Sequence, residues 1–168
     1  LLPEITRMRL KQVPGIAWLR DRLFHADTRL HDAYYTADYY RMDVMDPAAK
    51  AAEYVAEDIA GRFGAQSALD VGCGSGEYMQ ALARRGIAVR GVDLAEAAIH
   101  LCREKGLEVQ QADLTRQTDL LWRADLVYSF EVAEHLPESA APGFVQLLCH
   151  AAKDTLIVTA AGPGQPGL

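Results

Sequence analysis

Leu69-Asp70-Val71-Gly72-Cys73-Gly74-Ser75-Gly76 decides the fold. The apolar run Ser67–Val71 reads as a short buried strand, and the glycines after it form a turn. Glu77–Arg85 then reads as a helix closed by Gly86. A strand, a glycine turn and a helix in that order place a ligand site at the carboxyl end of the strand. Backbone without Cβ atoms allows that ligand to come close.

The alternation continues downstream. Ile87–Val92 reads as a strand, Ala95–Lys105 as a helix closed by Gly106, and Leu107–Gln111 as a third strand. A polar loop covers 114–124. Asp125–Phe130, Pro137–Ala152 and Thr155–Thr159 complete the series as strand, helix and strand. Strands alternating with helices give an α/β fold, a Rossmann-like doubly wound, mainly parallel sheet. Upstream, Asp46-Pro47 has the form of a helix N-cap and first turn, and Val55, Ile59 and Phe63 make an apolar stripe that Gly64 ends. Ile16, Leu19, Leu23 and Leu30 recur at helical spacing in an earlier segment. Two units follow: an N-terminal helical and aromatic extension at 1–46, and a sheet domain at 47–168.

Composition narrows the class. The chain has 168 residues, half of them hydrophobic, with 17 basic and 23 acidic side chains and a net charge of −6. Disorder and a membrane span are both excluded. The acidic balance argues against nucleic acid as partner, although residues 1–32 alone carry a net +2. Cys73, Cys102 and Cys149 are too far apart for a zinc knuckle and odd in number, which suits a reducing cytoplasm. Cys73 reads as a small residue filling the loop, and Cys102 and Cys149 read as core.

Three successive strands end in an acid: Asp70, Asp93 and Asp113. Each alone could cap the turn that follows it. Together with the glycine loop they point to one shared site at the strand ends. The loop departs from the dinucleotide fingerprint, because Glu77 stands where a third-spaced glycine is required. Carboxylates at 70 and 77 would repel a pyrophosphate and favour a cofactor with a cationic end. A nicotinamide-dependent oxidoreductase is thereby the weaker rival, and a non-catalytic cofactor-binding module is the other.

These motifs resemble the class I S-adenosylmethionine-dependent methyltransferases, over about residues 47–168. LDVGCGSG at 69–76 is similar to the family's first motif. The resemblance implies that Asp70, Gly72, Cys73, Gly74 and Gly76 wrap the methionine end of the cofactor. It implies that Asp93 takes the ribose hydroxyls, that Asp113, Leu114 and Leu94 surround the adenine, and that Phe130 and Glu131 border the methyl-transfer site. The family usually continues beyond a fifth strand. The reading therefore expects a longer protein, with the C-terminal strands of the fold outside these residues.

Glu131-Val132-Ala133-Glu134-His135 follows the fourth strand. Three readings stand. The three side chains could brace the loop and the next helix. Glu131 and His135 could serve acceptor-side chemistry, with His135 as general base. Or Glu131, Glu134 and His135, at i, i+3 and i+4, could share a helical face and bind a divalent metal. The last arrangement resembles small-RNA 2′-O-methyltransferases and some quinone-biosynthesis O-methyltransferases, which implies an acceptor with vicinal hydroxyls. Tyr35, Tyr39 and Tyr40, in the aromatic stretch 34–40, are placed to form the acceptor pocket. The expected acceptor is a small molecule methylated on oxygen or nitrogen, and the oligomeric state stays open.

Overall fold

The structure is a computed structural model that describes residues 32–162. The helical segment expected before residue 32 lies outside them.

The sheet is built from five short strands. They are β1 (Ser67–Val71), β2 (Ala88–Asp93), β3 (Glu108–Gln111), β4 (Ala124–Phe130) and β5 (Ala152–Thr159). Of these, β1 and β4 are the most apolar and most buried. All neighbouring pairs are parallel, in the order β3-β2-β1-β4-β5. β1 lies at the centre, with Ala68, Leu69, Asp70 and Val71 all buried. Such burial on both faces is what a doubly wound sheet requires. The order reverses between β1 and β4, so a crevice opens at their carboxyl ends.

Helices cover both faces. A short α1 (Ala37–Tyr39) runs through a π turn at Tyr40–Val44 into α2 (Met45–Phe63). α3 (Glu77–Ala83), α4 (Glu96–Glu104) and α5 (Ala141–Ala151) follow β1, β2 and β4. One core cluster joins Ala52, Ala56 and Ile59 of α2 to Ala81, Leu82, Leu126 and Tyr128. On the opposite face Phe144, Leu147 and Leu148 of α5 pack with Leu69, Val71 and Val127.

Three local expectations change. Asp46 does not cap α2, because the helix already runs at Met45 and Val44 holds the cap position without a side-chain bond. Pro47 sits in the first α-helical turn, a position that tolerates proline. The π turn before it closes with the Met45 N–H on the Tyr40 carbonyl. The helix expected from Pro137 begins at Ala141, since Pro137 is extended (ψ 143°) and a 3-10 turn at Glu138–Ala140 intervenes. Cys149 is exposed rather than core, because α5 turns Phe144, Leu147, Leu148 and Ala151 inward. Cys102 is fully buried as expected.

Candidate functional site

Parallel strands deliver their last residues to one edge of the sheet. There a cavity of about 410 Å³ opens, a size suited to a small molecule. Its walls include Gly72 and Gly74 from the glycine loop, Asp93 and Leu94 after β2, and Asp113 and Leu114 after β3. Phe130, Glu131 and His135 come from the end of β4, and Tyr35, Tyr39 and Tyr40 from the N-terminal side. The fold thus gathers most of the sequence-predicted site residues around one space.

The glycine loop is held in shape from below. Gly72 has φ 88°, and a Cβ there would lie 2.3 Å from Cγ2 of Val132, so only glycine lets the segment after β4 fold over the loop. The Gly72 and Cys73 amides donate to the Val92 carbonyl at 2.8 and 3.0 Å. Asp93 joins loop and helix: its Oδ2 accepts from the Gly74 N–H (2.8 Å) and its Oδ1 from the Ala95 N–H (2.9 Å). The same carboxylate borders the cavity. Asp113 Oδ1 accepts from both the Thr115 N–H (2.9 Å) and its hydroxyl (2.6 Å), and Arg116 lies 3.6 Å from Oδ2. Capping the turn and facing the cavity are therefore combined in both acids.

Three residues predicted to bind the cofactor do not line the cavity. Asp70 is 4% exposed beneath the loop. Burial pushes its carboxyl up to about 8; the nearby Tyr128 hydroxyl lowers it, and the Asp93 charge raises it further. Tyr128 is itself fully buried, and its hydroxyl makes no well-formed hydrogen bond. Cys73 turns into a core cluster with Met79, Ile99, Cys102 and Val109. Gly76 packs against Leu107 and Cys102, where a Cβ would come within 2.6 Å of Leu107 Cδ1. The backbone must pass close at these two positions, which turns one side chain inward and leaves the other no room.

Glu77 also departs from expectation. It does not face the ligand space. It is 7% exposed under the loop, where Ser75 Oγ donates to Oε2 at 2.5 Å and Lys105 Nζ to Oε1 at 2.5 Å. Lys105 neutralises the charge that was expected to repel a phosphate. The case against a dinucleotide therefore rests on the glycine spacing, because an acid at the end of β2 suits the ribose of either cofactor.

At the acceptor end, Glu131 has φ 56°, the one non-glycine residue among the described residues with positive φ. Its N–H donates to the Thr159 carbonyl at 3.1 Å. The following 3-10 turn spans only Ala133–His135. Glu131 thus lies outside the turn that carries Glu134 and His135, and the shared helical face expected for a metal does not form. Among the described residues no group of three or more His, Cys, Asp or Glu is placed to hold a metal ion. Glu134 does not line the cavity, and its Oε2 is buried without a partner.

The tyrosines divide. Tyr40 is 6% exposed and packs with Ala95, Ala98 and Leu101. Burial, then the Asp93 charge, raises its hydroxyl pKa far above the usual range, and its ring faces Gly74. It lines the cavity on the glycine-loop side. Tyr39 stands edge-on to both Tyr40 and Tyr35, and the Tyr35 ring lies tilted to that of Tyr40. Sequence reasoning missed Tyr78, which lines the cavity and stands edge-on to Phe130 with ring centroids 5.2 Å apart. Its position one residue into the helix after the glycine loop was the available signal. Burial, ahead of the neighbouring Asp70 and Glu131, raises its hydroxyl pKa above the usual value.

Known proteins agree with this arrangement. Residues 68–155, just over half the chain, match the methyltransferase domain family. A ubiquinone biosynthesis O-methyltransferase of Alkalilimnicola ehrlichii is 35% identical over 96 residues, covering 53% of this chain and 38% of that protein. One from Azotobacter vinelandii is also 35% identical over 96 residues, covering 53% and 40%. The chain thus spans about two fifths of the length of these curated relatives. Among solved structures, an amino pentose methyltransferase from Micromonospora echinaspora with bound S-adenosylmethionine superposes with TM-score 0.59 at 29% identity, over 68% of this chain and 51% of that one. A magnesium protoporphyrin IX methyltransferase from Synechocystis, at 23% identity and TM-score 0.59 over 68% and 59%, shares the fold. With a parallel sheet in the order 3-2-1-4-5, a GxGxG loop after β1 and acids after β2 and β3, the chain belongs to the class I S-adenosylmethionine-dependent methyltransferase family.

Proposed function

We propose that this chain binds S-adenosylmethionine in the strand-end cavity and takes part in methyl transfer to an oxygen or nitrogen of a small-molecule acceptor. The observation that carries this reading is the single cavity edge shared by the glycine loop, Asp93, Asp113 and the Glu131–His135 segment. The residues fit the cofactor. Gly72 and Gly74 leave room for its amino-acid end, Asp93 offers two acceptor oxygens to vicinal hydroxyls, and Leu94 and Leu114 flank a flat ring. When bound, the cofactor supplies an electrophilic methyl group.

The protein's own part is alignment and proton handling. Tyr78 and Phe130 form an aromatic wall beside the reacting position. Glu131, exposed and held out of the helical register, is placed to take the acceptor's proton, with His135 as the alternative base. Val132 and Leu136 keep water from that end. No metal takes part in this reading, because the donors do not converge. Oxygen is favoured by the names of the curated relatives and nitrogen by the amino pentose enzyme. No described helix is long and apolar enough to cross a membrane. Separately, three free cysteines suit a reducing, cytoplasmic setting.

Calorimetry with S-adenosylhomocysteine and with NADH tests the cofactor. Binding of the first alone is expected, and binding of NADH alone overturns the proposal. Release of S-adenosylhomocysteine with a catechol or an amino sugar distinguishes the acceptor atom. Loss of acceptor binding at high salt would instead indicate a nucleic acid.

A further inference from the structure

The glycine loop shows one face to the cavity and the other to α4. On that hidden face Cys102 of α4 and Lys105, the residue that caps its C-terminus, reach two consecutive carbonyls of the loop. Cys102 Sγ approaches the Gly74 carbonyl at 3.3 Å, and Lys105 Nζ donates to the Ser75 carbonyl at 2.6 Å. The same ammonium donates to Glu77 Oε1 at 2.5 Å, and Ser75 Oγ donates to Glu77 Oε2 at 2.5 Å. Ser75 is 1% exposed and the Glu77 and Lys105 side chains 7% and 16%, so this ion pair is largely shielded from water. Gly106, at φ 74°, ends the chain's helical course directly after Lys105. A lysine in the last turn of a helix is favourable there in any case.

A buried ion pair is a poor device for stability, since desolvation offsets most of the attraction. It is a good device for fixing position. From one side the loop is tied to Asp93 through the Gly74 N–H, and from the other to Lys105 through the Ser75 carbonyl. Gly74, which lines the cavity, lies between these two attachments. We propose that Lys105, acting through the Ser75 carbonyl and Glu77, is a positioning residue that holds the glycine loop in its cofactor-binding shape. It does not touch the cofactor. The inference rests on the S-adenosylmethionine reading above.

The test separates positioning from stability. Lys105→Met removes the grip and strands the Glu77 carboxylate, so both thermal stability and affinity for S-adenosylhomocysteine are expected to fall, the affinity at least tenfold. The double variant Lys105→Met/Glu77→Leu replaces the pair by apolar groups and is expected to recover the melting temperature. Its affinity stays weak, because the Ser75 carbonyl is still unheld. Lys105→Arg retains a donor and is expected to recover most of the affinity. Ile59→Ala, in the α2 core far from the loop, lowers the melting temperature but leaves affinity unchanged. A double variant that melts and binds like the wild type overturns the inference. So does a wild-type affinity for Lys105→Met at any stability. Failure of the wild type to bind S-adenosylhomocysteine overturns the cofactor reading instead.

Discussion

Glu131 sits at φ 56°, a region that costs an L-residue about 1–2 kcal/mol and that glycine enters freely. Strain of this kind persists where the surroundings over-determine it, and here the Thr159 carbonyl fixes the Glu131 N–H. If the strain serves the carboxylate's position, glycine should be better for the fold and worse for the reaction. Glu131→Gly is expected to raise stability by up to about 1 kcal/mol. Methyl transfer should fall by about 10²–10⁴-fold, the usual worth of a positioned base. Denaturation midpoints and turnover on one preparation check this; unchanged turnover would make the residue architectural. Asp93 is the second residue whose removal is informative. Its carboxylate holds the Gly74 and Ala95 amides and faces the cavity. Charge-assisted hydrogen bonds of this type contribute about 1.5–3 kcal/mol each. Asp93→Ala should therefore weaken S-adenosylhomocysteine binding by about tenfold or more, measured by titration calorimetry.

At the scale of elements, the sheet has two ends with different jobs. The carboxyl end carries the cavity. At the other end Asp125 Oδ2 accepts from the Gln66 and Ser67 amides at 3.2 and 2.9 Å, the Asp125 N–H donates to Ser67 Oγ at 3.0 Å, and Lys153 lies 3.3 Å from Oδ1. This stitches β1, β4 and β5 together. The Ser67 bonds, ahead of Lys153, hold the Asp125 carboxyl below the usual carboxylate range. A depressed folded pKa means stability that is present above the ordinary value and lost as pH falls through the depressed one. Asp125→Ala is expected to lower the denaturation midpoint at pH 7, with the deficit against wild type closing in acid, and to leave S-adenosylhomocysteine affinity unchanged. Affinity is the decisive readout, because the site lies a full strand length away. The same division explains what the sequence makes legible. β1 falls on Ser67–Val71 as read, and the Asp-ended strands reach one cavity, because burial and strand ends are local signals. The Glu131–His135 helix face fails because one backbone torsion cannot be read from spacing. Asp46-Pro47 fails as a cap because a π turn from upstream carries the helix past it. Lys105 stays hidden because its partner, Glu77, is 28 positions away and only packing joins them.

Across the whole molecule, acidic groups collect at one edge of the sheet. Asp93, Asp113 and Glu131 line the cavity, no lysine or arginine of the described residues does, and Asp70 lies just beneath. The protein as a whole carries −6. Burial first, and the Asp93 charge after it, keeps the proton on Asp70, whose pKa stands at about 8 against an ordinary 3.8. Between those values the unfolded chain has released the proton and the folded protein has not, so folding takes a proton up. Stability from this group is full below about pH 4 and declines as pH rises through the window, levelling above about pH 8. The slope reaches about 1.4 kcal/mol per pH unit at most, the worth of one proton. Asp125 acts in the opposite sense and only in acid, so the two windows do not overlap. Asp70→Asn replaces the carboxyl by a neutral group of the same shape. Urea denaturation at pH 5, 6, 7 and 8 should show wild-type stability falling across the series and the variant nearly flat, with the variant gaining most at pH 8. A wild type as flat as the variant would place the Asp70 proton in water rather than beneath the glycine loop.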